Sequence, residues 1–250
     1  MIIQMAKLVE IVGKPLSGEW GKDDETGEGI PVIRTTNFEN DGTINYNNVV
    51  TRKIIKKDIE NKYLQEGDII IEKSGGSDKF PVGRVVYFKG QEKKYLFNNF
   101  TGLLRVQNKQ KWYPRYVFYS LFANYKMGGT RVFENKTTGI HNLKIDDYMS
   151  RYEIGEKSYI HQVTICERLD KIYEIIKFRK NQLQLFNDLL QARFVTDHIS
   201  VTHHIISDII TFAITNLHDE MEKSNFLPPT NSYISAPMPP ILPTTHQMVS

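Results

Sequence analysis

A seven-residue apolar repeat constrains this chain more than any other feature. Across residues 158–194, Leu169, Ile176, Leu183 and Leu190 recur at intervals of seven, with Ile165, Ile172 and Phe186 on the neighbouring track. No Pro or Gly interrupts the run. Such a repeat lays a continuous apolar seam along one side of a helix, and a second helix is needed to cover it. At 1.5 Å per residue the helix spans roughly 55 Å, too long to fold back onto a small domain. The pattern predicts a spacer or dimerisation arm with Ile165, Leu169, Ile172, Ile176, Leu183, Phe186 and Leu190 as its pairing residues. A long helix packed on its own domain is the alternative.

The remaining sequence reads as α+β: a strand-rich domain over 1–155, the long helix over 156–196, and an irregular tail over 197–250. Strands are expected at 29–34, 67–72 and 83–88, with a further pair within 95–106. Asn40-Asp-Gly-Thr43 is a turn, because Asp and Gly tolerate left-handed dihedrals. Residues 114–125 open on proline and carry five aromatics, the pattern of a short amphipathic helix. From Val195 onward lie five of the seven histidines and six of the ten prolines. A helix is expected at 203–221, followed by Pro-rich stretches that cannot sustain regular structure.

Charge is distributed unevenly. Residues 1–194 hold 31 basic and 24 acidic residues, a net +7, whereas 195–250 hold one Lys and five acids, a net −4. A basic body suits a polyanionic partner. The single cysteine, Cys166, cannot form an internal disulfide, and neither a membrane span nor a secretory signal is evident, so a cytoplasmic location is expected. Cys166 stands alone and His203-His204 has no companions at metal-ligand spacing, so no metal site is expected.

Two loops carry candidate chemistry. In Glu72-Lys-Ser-Gly-Gly-Ser-Asp-Lys-Phe-Pro-Val-Gly-Arg84, Gly75 and Gly76 let the backbone approach a partner closely. Lys73, Lys79 and Arg84 supply cations beside the hydroxyls of Ser74 and Ser77, a set suited to phosphates or base edges. The plainer reading is a glycine-rich hairpin with solvated lysines. The second loop, Asn135-Lys-Thr-Thr-Gly-Ile-His-Asn142, offers Lys136, Thr137, Thr138, His141 and Asn142. His141 there is more naturally a hydrogen-bonded loop residue than a catalyst.

An enzymatic alternative rests on Asp68 with Glu92-Lys-Lys94, which resembles the carboxylate–lysine set of Mg-dependent nucleases. Glu-x-Lys triplets are common by chance, and this one also reads as a solvated hairpin turn. A nucleotide P-loop and a methyltransferase tetrapeptide are both missing from the sequence.

Three segments together resemble the specificity subunit of type I restriction–modification systems. They are Leu64-Gln-Glu-Gly-Asp-Ile-Ile-Ile-Glu-Lys-Ser-Gly-Gly-Ser77 with Gly83-Arg-Val, then Thr138-Gly-Ile-His-Asn-Leu143, and then Ile175-Ile-Lys-Phe-Arg-Lys-Asn-Gln-Leu183 running into Leu189-Leu-Gln-Ala-Arg-Phe194. The resemblance covers about residues 6–194. It implies a non-catalytic subunit whose target-recognition domain reads half of a bipartite double-stranded DNA site, with the helix setting the distance to the other half. It further implies modification subunits that bring the S-adenosylmethionine-dependent methyltransferase, and restriction subunits that bring ATP and Mg chemistry. No cofactor would belong to this chain itself.

Specificity subunits usually carry two recognition domains and two helical spacers, whereas this sequence carries one of each. Its change of composition at Val195 suits a truncated or recombined reading frame, and a non-functional truncated specificity fragment is a further alternative. A half-length subunit still has a route to function. Two copies, or this chain and a second half-specificity subunit, would pair their helices antiparallel and place a recognition domain at either end.

Overall fold

The computed structural model describes residues 4–55, 58–137 and 140–223. They fall into two units, the first ending at Lys177 and the second beginning at Phe178. Thr138 and the Pro-rich segments expected beyond 223 lie outside the described residues. The fold is α+β, as the sequence predicts.

At the heart of the first unit, β6 (Ile69–Glu72) lies between β8 (Val85–Tyr87) and β10 (Thr101–Leu104), with β2 (Leu16–Ser17) outside β10, all antiparallel. All four residues of β6 are buried. Ile69 and Ile71 enter one apolar cluster, beside Phe118 and Leu121, while Ile70 enters another with Ile33, Leu64 and Phe88. A strand covered on both faces needs no polar alternation, which explains the unbroken Ile-Ile-Ile run.

The first cluster is closed by α2 (Pro114–Lys126), whose proline sits in the opening turn, where a missing N–H costs nothing. Val117, Phe118, Leu121 and Phe122 form its buried face. A second sheet orders β3 (Lys22–Asp23), β5 (Val50–Lys53), β4 (Ile30–Ile33) and β9 (Leu96–Phe97), with β4 and β9 parallel. The expected turn forms as read: Asp41 Oδ1 accepts from the Thr43 amide (3.0 Å) and hydroxyl (2.6 Å), with Gly42 at φ 82°. A third sheet orders β11 (Glu134–Thr137), β12 (Ile140–Leu143) and β7 (Ser74–Gly76). Helix α1 (Leu8–Val12) packs against α3 (Ile145–Arg151). Finally β1 (Met5–Lys7) pairs with β13 (Glu153–Gly155), tying the start of the domain to its end.

From there the chain enters α4 (Tyr159–Lys223). From Tyr159 on, the helices expected over 156–196 and 203–221 form this one element, since residues 195–205 hold neither Pro nor Gly to break it. Its opening turns are anchored on the domain. The fully buried Gln162 amide donates to the carbonyls of Lys111 and Lys157 (both 2.9 Å) and accepts from the Tyr113 amide (2.8 Å). Arg115 Nη2 reaches Asp170 Oδ1 at 2.6 Å, and the Tyr119 hydroxyl donates to the same oxygen. Cys166 is buried in the first cluster, and Leu169 and Tyr173 pack against it. Burial, and then Asp170 nearby, pushes the Cys166 thiol up to about 12. Ile165 is half-buried, while Ile172 and Ile176 are exposed. In the second unit the described backbone is helical, and Leu183, Phe186 and Leu190 are exposed.

Candidate nucleic-acid interface

The two loops singled out in the sequence meet in the third sheet. Gly76 of β7 faces His141 of β12, and Ser74 faces Asn142, with an irregularity between His141 and Asn142. On its far side β12 pairs with β11, setting Lys136 opposite His141. Strand β7 leaves the buried β6 through Lys73, whose amide donates to the Phe100 carbonyl (2.8 Å) and whose carbonyl accepts from the Leu143 amide (2.8 Å). The glycine pair has a steric cause. A Cβ on Gly76 would lie 2.5 Å from the Val82 nitrogen, and Gly75 sits at φ 128°. The close approach at Gly76 is therefore to the protein's own Val82, while Gly75 is required by its positive φ.

Arg84 and His141 hold the sheet in place. Arg84 donates to the carbonyls of Thr35 (2.9 Å) and Phe38 (3.1 Å), and lies 3.4 Å from Glu72 Oε1. Burial raises the Glu72 carboxyl above its ordinary range, with Arg84 opposing the shift. His141 is buried, with Nδ1 3.2 Å from Glu134 Oε2 and Nε2 3.6 Å from Asp78 Oδ1. The other Glu134 oxygen accepts from the Val82 amide at 2.9 Å. Donors spent on interior partners have little left for an external one.

Lys73, Ser77, Lys79 and Lys136 form the outward set. Lys73 is half-buried, its Nζ 3.3 Å from Ser17 Oγ, and desolvation followed by Lys62 lowers its pKa. Ser77 is exposed at the turn after β7, where its amide donates to the Phe80 carbonyl (2.7 Å). Lys79 is exposed beside the Phe80 ring. Lys136 Nζ pairs with Asp78 (2.7 Å), which lowers the Asp78 pKa. Ser74 and Asn142 are half-buried neighbours in the ladder, and Thr137 closes β11 opposite Ile140.

Asp68, proposed above as a metal ligand, is an interior ion-pair residue. Its Oδ1 accepts from Arg105 Nε (2.8 Å), and its Oδ2 from Arg105 Nη2 (2.7 Å) and the Gln65 amide (2.8 Å). Glu92 accepts from the Glu66 amide (3.3 Å), and the Lys94 ammonium lies over the Tyr95 ring. Among the described residues no three His, Cys, Asp or Glu side chains cluster as metal ligands, and no helix is long and apolar enough to cross a membrane. Arg105 and Arg115, which pair with Asp68 and Asp170, were not singled out in the sequence. Neither sits in a motif, and their partners lie 37 and 55 residues away.

Fold and site together describe an α+β domain with a small cation-bearing sheet, followed by a long helix. Solved structures to which the chain is similar include the S subunit of the type I restriction–modification system from M. genitalium. That match has 16% identity and a TM-score of 0.46, and covers 70% of this chain and 40% of that one. A second is a structure on complex assembly and conformational transition of the type I R-M system. It matches at 16% identity and a TM-score of 0.49, covering 70% of this chain and 39% of that one. The chain thus spans about 40% of the length of the solved chains it matches. No family model and no curated protein matches it.

Proposed function

We propose that this chain is a DNA-recognition module of the type I specificity-subunit kind, itself non-catalytic, that reads one half of a bipartite double-stranded site. One observation carries this reading. Two loops some sixty residues apart in sequence join in a single sheet, β7–β12–β11, with Lys73, Lys79 and Lys136 around it. Cations on a rigid sheet would fix a duplex by its phosphates while Ser74, Ser77 and Asn142 approach base edges. Arg84 and His141 support the sheet in this account. The net +7 over residues 1–194 favours the same class of partner.

The exposed residues of α4, Ile172 and Ile176 with Leu183, Phe186 and Leu190, support a role in helix pairing, with a second copy or a second half-specificity subunit as the occupant. Modification subunits would dock on that scaffold and bring S-adenosylmethionine, and restriction subunits would bring ATP and Mg chemistry. The occupied carboxylate of Asp68 argues against the nuclease alternative. A salt titration of duplex binding tests the DNA-reading step. Lys73→Ala and Lys136→Ala should each weaken binding to all sequences alike and lower the salt slope by about one. Unchanged slopes in both would remove these lysines from the interface.

A further inference from the structure

Phe80 and Phe100 are left in solvent, 61% and 53% exposed, at the two ends of β7. The amides of Lys73 and Ser74 donate to the Phe100 carbonyl (2.8 and 3.2 Å), and the Ser77 amide donates to the Phe80 carbonyl (2.7 Å). Ser74 and Ser77 are three residues apart, so their amides lie at most about 11 Å from each other. Both phenyl-bearing turns are tightly held. Ser77 Oγ accepts from the Phe80 amide (3.1 Å), and Arg131 donates to the carbonyls of Asp78 (3.3 Å) and Lys79 (3.4 Å). Pro81 follows and fixes its own φ. In the other turn, the Thr101 amide and hydroxyl both donate to the Asn98 carbonyl, at 3.1 and 2.8 Å.

A turn closed by several hydrogen bonds that ends in an exposed phenyl group is preorganised to present that group. The surroundings indicate what it meets. Lys73, Lys79, Arg131 and Lys136 lie about the same strands, and the exposed Asp78 is paired to Lys136. Cations interleaved with aromatic rings match nucleic acid, whose phosphates take the charges and whose bases take the apolar surface.

We propose that Phe80 and Phe100 are DNA-contact residues, apolar wedges that pack on bases of the duplex held by the neighbouring lysines. This assignment rests on the DNA-recognition reading, and the experiment separates the two. Fluorescence anisotropy on a labelled mixed-sequence duplex would compare the full chain with Phe80→Ala, Phe100→Ala, Phe80→Trp and Lys79→Ala. Both alanine variants should bind roughly tenfold or more weakly, with an unchanged salt slope, because a phenyl group neutralises no phosphate. Phe80→Trp should retain the affinity, and Lys79→Ala should lower the slope by about one. Thermal unfolding of all four should match the parent, since both phenyl groups are exposed. If both alanine variants bind as the parent does, the wedge assignment is overturned and the DNA reading stands. A slope that falls along with the affinity also overturns it, since the variants would then have disturbed the phosphate contacts. A parent chain that binds no duplex at any salt concentration overturns both.

Discussion

Asp68 sets both carboxylate oxygens against Arg105 while almost wholly buried. Removing the cation would strand a charge in the interior, so Arg105→Ala should cost about 3–5 kcal/mol in denaturant unfolding. A change under about 1 kcal/mol would mean that solvent or another group replaces the guanidinium. Asp170 offers a pH-dependent counterpart. Burial acts to raise its pKa, but hydrogen bonds from Arg115 and Tyr119 prevail, and the folded value lies below the ordinary 3.8. A carboxyl depressed on folding stabilises the fold above its unfolded value and loses that contribution as pH falls through the folded one. Thermal unfolding followed downward from pH 5 should therefore show less acid sensitivity in Asp170→Asn than in the parent. Equal sensitivity would place the acid-labile groups elsewhere. At this scale the sequence was only partly legible. Cations and small polar residues stood out, but whether each faced inward, as Arg84 and His141 do, depended on partners distant in the chain. Phe80 lay inside a motif quoted for its lysines and glycines, and only its exposure reveals it.

At the scale of elements, β6, β8 and α2 could be read directly, since a run of three isoleucines and a proline-opened aromatic helix encode burial locally. The short strands β7, β11 and β12 could not, because Ser-Gly-Gly has no strand propensity and exists as a strand only through pairing with residues about 65 positions later. Gly76 carries that pairing. Gly76→Ala should lower stability by about 1–3 kcal/mol, because the added carbon meets backbone and not a movable side chain. A denaturant midpoint equal to the parent's would show that β7 yields easily. Helix α4 was legible as a helix, but its heptad concealed a division of labour: Leu169 serves its own domain, beside Cys166 and Tyr173, while the later members are exposed. Charging the exposed set with Leu183→Asp and Leu190→Asp should convert any self-associated form to monomer by light scattering. An unchanged mass would place the association elsewhere or show that there was none.

For the whole molecule, the proposed function would rest on a sheet that holds a duplex and a helix that pairs with a partner. In that proposal, chemistry would come from the subunits recruited. On the proposed reading, two chains paired through α4 would together read a bipartite site, and a symmetric pair predicts a palindromic target. Selection of the full chain on a randomised duplex pool, followed by sequencing, tests this most directly. The account predicts one enriched motif for the parent, as an inverted repeat if two copies pair, and its relaxation when Ser74, Ser77 and Asn142 are replaced by alanine. A selected pool no different from the starting pool, at salt low enough for binding, would contradict it.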